Sequence, residues 1–188
     1  MNRKPSKLII LPACLLMLGL LSCNSRKEKI NKQLYELYAS VIDIPSSDMD
    51  TLVIDSAYLS SKPKYQFLAY VDSSQCTPCY AGHHQEWGTV LARAWKLEPS
   101  ITLTIIVESD SISEEVKNRF FAADFNRSIF IDRKGMFRKK NPSFPESNIM
   151  HVMLLDQDNH IVLVGDPVRN DDIEQLLHNM LEKNKKWD

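Results

Sequence analysis

The chain has 188 residues, with 23 Lys and Arg against 24 Asp and Glu and a net charge of −1. That is room for one ordinary domain, with no basic excess to suit nucleic acid. Five glycines supply no phosphate-cradling loop, and Ser46-Ser47 and Ser73-Ser74 lack the glycines of a nucleophile elbow.

Arg3, Lys4 and Lys7 form a basic start, followed by fourteen apolar residues from Leu8 to Leu21 broken only by Pro12, Cys14 and Gly19. A bilayer span needs about 20 residues, so the run reads as a leader peptide over 1–22. Its end, Leu20-Leu21-Ser22-Cys23, resembles the lipobox of bacterial lipoproteins. Cys23 is then expected to become the first mature residue and to carry acyl chains such as palmitate. The earlier Leu11-Pro12-Ala13-Cys14 leaves too short an apolar stretch ahead of it to be the cleavage point. A lipid anchor puts the rest outside the cytoplasm, where disulfides persist; the expectation is a bacterial outer membrane, with the protein facing the periplasm. Without residues 1–22 the chain keeps 20 Lys and Arg against 24 Asp and Glu. Residues 23–29, containing Ser25-Arg26-Lys27-Glu28-Lys29, read as a polar tether.

Ile30, Leu34, Leu37, Tyr38 and Val41 recur at helical spacing, which predicts an amphipathic helix over 30–41. Ile42-Asp43-Ile44 and Thr51-Leu52-Val53-Ile54 are short strand candidates separated by the turn-like Pro45-Ser46-Ser47-Asp48. These elements make up an N-terminal portion over 30–64, ahead of a main domain over 65–188. The main domain opens on the apolar strand 65–71, and a helical pattern then runs to about Leu97 with Trp87, Leu91, Ala94 and Trp95 on its core face.

Between that strand and helix stands Cys76-Thr77-Pro78-Cys79. A helix N-terminus offers unpaired N–H groups and partial positive charge, which favour thiolate over thiol. Pro78 fits a first helical turn, where its missing N–H costs nothing. A structural zinc site would need four ligands, and the remaining cysteines, Cys14 and Cys23, both lie in the first 23 residues. The pair is therefore read first as a redox couple, with an inert structural disulfide and a metal site as the other readings.

Downstream, Ile101 to Val107 is β-branched and nearly continuous, as a buried parallel strand requires. Ser111-Ile112-Ser113-Glu114 starts a helix with Val116, Phe120 and Ala123 on its stripe. Ser128-Ile129-Phe130-Ile131 is a strand closed by Asp132-Arg133-Lys134-Gly135, and 136–149 reads as mostly loop. His151–Leu155 and Ile161–Val164 form a hairpin through Asp156-Gln157-Asp158-Asn159-His160. Asp55, Asp72 and Asp110 follow strands as turn-forming acids do. A last helix runs from Asp171 to about Lys183, with Ile173, Leu176, Leu177, Met180 and Leu181 as its apolar stripe.

This order of elements, with the C-x-x-C, the strand 101–107, the inserted segment Phe125–Asp132 and the stretch Leu154 to Val162, resembles the TlpA/ResA branch of extracytoplasmic thioredoxin-like proteins over 65–185. The resemblance implies an α/β thioredoxin fold, a central mixed β-sheet flanked by helices with a strand–helix insertion. It also implies a thiol–disulfide oxidoreductase with no bound cofactor. Cys76 would be the exposed nucleophile and Cys79 the resolving thiol, exchanging with protein thiols or disulfides and with an upstream electron donor or acceptor. Gln75, Thr77, Pro78, His83, Ile149 and Met150 would surround the pair.

Three features depart from the family pattern. Gln75 stands where the family carries Trp, and Met150 where it carries a cis-proline. A cis bond before a non-proline residue costs about 3–4 kcal/mol, so the Ile149–Met150 peptide is expected to be trans. His83-His84 replaces an apolar residue and a proline. His83 is read as a tolerated helix residue and His84 as a solvated one; alternatively His83, one turn from Cys79, tunes the dithiol or joins Cys76 and Cys79 in holding Cu(I). A non-catalytic binding module on a redox scaffold is a further alternative.

Overall fold

A computed structural model describes residues 27–55 and 63–185. The leader, Cys14 and Cys23 lie outside the described residues. The first helix, α1, covers 27–38, three residues earlier at each end than the periodicity predicts, and carries a Lys32–Glu36 ion pair of 3.8 Å. Among the described residues no helix is long and apolar enough to cross a membrane.

From Tyr38 onward the chain forms one α/β unit. Its strands are β1 (Asp50–Val53), β2 (Tyr65–Val71), β3 (Thr102–Glu108), β4 (Ser128–Asp132), β5 (Val152–Asp156) and β6 (Ile161–Val164), in the sheet order β1-β4-β3-β2-β5-β6. β2, β3 and β4 run parallel, β5 pairs antiparallel with β2, β6 antiparallel with β5, and β1 antiparallel with β4. Helices α2 (Thr77–His83) and α3 (Trp87–Ala94) follow β2, and α4 (Glu114–Phe121) follows β3. The short α5 (Met136–Lys140) follows β4, and α6 (Asp171–Lys185) closes the chain. This is a thioredoxin-like fold, with the β4 segment inserted and β1 paired on its outer side.

Alternation along the strands builds two packing faces. Phe67, Ala69, Val71, Leu103, Ile105 and Val107 join Trp87, Leu91, Phe120, Leu177 and Leu181 in one core cluster. On the other face, Tyr70 meets Phe137 and Phe144 with ring centroids 4.9 and 5.2 Å apart. Both faces of β2 are covered, and all seven of its residues are buried.

Several predicted boundaries move for identifiable reasons. Ile42–Ile44 is not a strand: Val41 makes one bridge to His160, and the Ile42 N–H donates to the Asn159 carbonyl at 3.0 Å. The helix predicted to run to Leu97 breaks into α2, a 3-10 turn over His84–Glu86, and α3. Segment 136–149 contains α5 because the buried Asp132 carboxylate accepts the Met136 and Phe137 N–H groups, each at 2.8 Å, while Gly135 enters with φ +62°. In α6, Leu177 and Leu181 are buried but Leu176 faces outward.

In the β5–β6 hairpin, the Asp156 carboxylate accepts from the Asp158 and His160 N–H groups at 2.8 and 2.9 Å, and Asn159 takes φ 62°. The left-handed region suits Gly and, next best, Asn. Asn159→Gly is expected to leave stability near wild type, whereas Asn159→Ala lowers it by about 1–2 kcal/mol; urea unfolding midpoints of the two variants check this.

Candidate functional site

β2 lies between its parallel neighbour β3 and its antiparallel neighbour β5, so its C-terminal end opens at the middle of the sheet edge. The chain leaves β2 there through a tight turn. The Gln75 N–H donates to the Asp72 carbonyl at 3.0 Å, and the Ser74 N–H and Oγ donate to Asp72 Oδ1 at 2.9 and 2.6 Å. Asp72 is thus the turn-forming acid the sequence suggests, and the turn delivers Cys76 to the start of α2.

Cys76 and Cys79 are disulfide-bonded, with S–S 2.09 Å and Cα–Cα 5.2 Å. Cys76 is the N-cap of α2, and its Sγ accepts the Cys79 N–H at 3.3 Å. Both cysteines and Pro78 are exposed, and Thr77 is half-buried. Arg119 of α4 donates to the Pro78 carbonyl at 3.2 Å, which ties the first turn of α2 to its neighbour.

Across the sheet edge, Ala69 opposes Val152, which places Met150 and His151 at the end of β2 where the cysteine turn departs. Met150 is buried and Ile149 is 65% exposed. Every peptide bond among the described residues is trans, Ile149–Met150 included. Gln75 is half-buried, and its amide Nε2 lies 3.1 Å from His151 Nδ1.

His83 does not turn toward Cys79; it is exposed, and its Nδ1 is 3.0 Å from Glu86 Oε1. Among the described residues no group of three or more His, Cys, Asp or Glu side chains is placed to hold a metal. His84 corrects the expectation of a solvated side chain. It is 1% exposed, bonds through Nδ1 to the Ala81 carbonyl at 2.8 Å, and packs edge-on to Phe120 at 5.2 Å. A buried ring at the junction of α2 with the 3-10 turn accounts for the break in the helix. The signal for it was its alignment with a helix-breaking proline.

Behind the turn lies a polar group, buried at Tyr70, Asp72 and His151 and half-buried at Arg138 and Glu108, that the sequence does not assemble. Asp72 Oδ2 is 3.5 Å from Arg138 Nη2 and 3.7 Å from His151 Nδ1, and Arg138 Nε is 3.8 Å from Glu108. The Tyr70 hydroxyl donates to Glu108, and the Arg138 guanidinium lies 5.2 Å from the centre of the Tyr70 ring. Burial works to raise the Asp72 carboxyl, but the Ser74 hydrogen bonds with His151 and Arg138 outweigh it and leave it below its usual range. Burial also pushes the Tyr70 phenol up, with Glu108 adding to the effect.

Fold and site together define a thioredoxin-like domain with an exposed C-x-x-C disulfide at the first turn of a helix. No family model matches the chain, and no curated protein does. Among solved structures, it is similar to a thioredoxin-like protein from Porphyromonas gingivalis, at 15% identity over 78% of this chain and 94% of that one, TM-score 0.48. It is also similar to the thioredoxin domain of a thiol-disulfide oxidoreductase from Bacteroides vulgatus, at 17% identity, 76% and 96% coverage and TM-score 0.47. A thioredoxin-like protein from Bacteroides caccae matches at 13% identity and TM-score 0.42 over 63% of this chain, which spans 41% of that protein's length.

Burial drives both His84 and His151 below the ordinary histidine range. Arg127 faces the first, adding to the downward shift; Asp72, Arg138 and Glu108 face the second. The folded chain keeps both rings neutral, while the unfolded chain takes up protons as pH falls through about 6.5. This stability contribution is full above that value and is lost below it, by at most about 1.4 kcal/mol per histidine per pH unit. Denaturant unfolding followed from pH 7.5 to 5.5 is expected to show a falling midpoint, flattened in a His84→Phe/His151→Phe variant.

Proposed function

We propose that the chain is an extracytoplasmic thiol–disulfide oxidoreductase that exchanges electrons with protein partners through Cys76 and Cys79. One observation carries the reading. Both cysteines stand exposed at the opening turn of α2, with the Cys79 N–H already directed at Cys76 Sγ. In the reduced form, a thiolate at Cys76 would keep that hydrogen bond, which lowers its pKa below the free value of about 8.5.

Each exchange then balances in two steps. The Cys76 thiolate attacks one sulfur of a partner disulfide, forming a mixed disulfide and expelling the partner's other sulfur as thiolate. Cys79, giving up its proton, attacks Cys76 Sγ, remakes the intramolecular bond and releases the second partner thiolate. Two electrons pass to the partner, and the reverse sequence oxidises a partner dithiol. The pair cycles only if a second protein thiol or disulfide resets it, which is the role of the upstream donor or acceptor.

The leader pattern over 1–22 and the lipobox-like Leu20-Leu21-Ser22-Cys23 support export and acylation at Cys23. The residues at 23–29 would then lead from the membrane toward the domain. An oxidising compartment suits a chain whose two cysteines beyond residue 23 form one bond.

Reduced protein is expected to cleave a model disulfide, Cys76→Ser to fall to background, and Cys79→Ser to accumulate a mixed disulfide visible by mass spectrometry. Parent and Cys76→Ser proteins exchanging at equal rates would remove the reading. For the anchor, the expressed full chain should partition into detergent with an acyl mass on Cys23, and Cys23→Ser should remain aqueous.

A further inference from the structure

We propose that His151 is a positioning residue for exchange at Cys76, acting by holding the side chain of Gln75, the residue beside the nucleophile, against the loop from Pro145 to Met150. The inference rests on the reading of Cys76 as nucleophile.

With the ring neutral, its hydrogen-bond chemistry leaves one consistent arrangement. His151 Nε2 is 3.0 Å from the Pro145 carbonyl oxygen, which can only accept, so Nε2 carries the proton. In a neutral ring Nδ1 is then an acceptor, and the Gln75 amide must present Nε2 to it, across 3.1 Å. Donors therefore run in one direction, from Gln75 to His151 to Pro145. The reversed amide would set two acceptors against each other.

The ring has little freedom to leave this line. It is 1% exposed and packed at 5.4 Å from the Tyr70 ring and 5.2 Å from Phe144. Its main-chain carbonyl accepts the Tyr70 N–H at 2.9 Å, which fixes residue 151 on β2. The charged groups facing it are Asp72, Arg138 and Glu108; Asp72 Oδ2 lies 3.7 Å from the same Nδ1, beyond hydrogen-bond distance, so Gln75 is the hydrogen-bonded partner there. Gln75 is thus held twice, by its N–H on the Asp72 carbonyl and by its amide on His151.

The tie joins two parts of the site far apart in the chain. On one side is the turn delivering Cys76; on the other is the loop whose Ile149 is 65% exposed at the rim, beside buried Met150. With Gln75 in the place of a bulky ring and Met150 on a trans peptide, this imidazole–amide pair is a direct side-chain hydrogen bond from the loop to the cysteine turn. Loosening it lets the turn sample geometries in which the Cys79 N–H no longer meets Cys76 Sγ, which raises the thiolate pKa and slows attack.

The test uses His151→Phe, which keeps the ring's bulk without its nitrogens, Gln75→Met, which removes the donor at a half-buried position, and the two combined. Cys76 is titrated in the reduced proteins by thiolate absorbance, and exchange with a small disulfide is timed. Loss of one hydrogen bond predicts about a fivefold slower exchange and a raised Cys76 pKa for each single variant. The double variant is expected to be no slower than either. His151→Gln, whose amide can both accept and donate, should recover part of the rate. Folded single variants with parental titration and parental rate overturn the proposal, as do losses that multiply in the double variant. Parent protein exchanging no faster than Cys76→Ser would instead remove the oxidoreductase reading, and this proposal with it.

Discussion

A strand buried on both faces has one workable place in a sheet, between other strands and beneath covering layers. β2 is such a strand, and its two neighbours run in opposite senses, β3 parallel and β5 antiparallel. At its C-terminal end the chain leaves the sheet through the turn closed by Asp72. The Cys76 turn emerges there, and the first turn of α2 adds a directed N–H. Exposure of the disulfide and the N–H directed at Cys76 Sγ thus share one origin, the position of β2.

The same strand end carries a concentration of buried and half-buried polar chemistry. Asp72, His151, Arg138, Glu108 and Tyr70 are in mutual contact within an otherwise apolar layer of Phe137 and Phe144. Burial makes each unpaired polar atom costly, so such a network persists only when its members satisfy one another. In return it holds backbone: Asp72 closes the cysteine turn, and His151 spans from that turn to the Pro145 carbonyl. His84 does comparable work on the other side of the sheet, terminating α2 through its bond to Ala81.

Where this chain departs from the family it resembles, hydrogen bonds stand in for shape. A tryptophan beside the first cysteine would pack by area; Gln75 is instead held through a directional bond. A proline at the start of β5 would impose a fixed backbone; here a 3-10 turn over Asn148–Met150 and the Tyr70–His151 backbone bond place Met150. Asn159 likewise adopts the left-handed conformation that glycine takes most readily. The architecture tolerates these changes because each acts at a turn, where a local bond can set the geometry that side-chain bulk sets elsewhere.

Much of the architecture was legible in the chain itself. The continuous apolar runs at 65–71 and 101–107, the stripe on α6 and the cysteine spacing each express a rule acting within a few residues: strand alternation, helical period, or the chemistry of a helix terminus. Such rules specified the elements, their order and the dithiol's place at a strand–helix junction. They did not specify the short α5, which depends on Asp132 reaching forward from a buried strand end, nor the break at His84, which depends on an aromatic pocket supplied by α4 and the segment after it. Least of all did they pair Gln75 with His151, 76 residues apart. Which side chains meet across a sheet edge is decided by how strands assemble, and that assembly averages over the whole core, where no single window of sequence can express it.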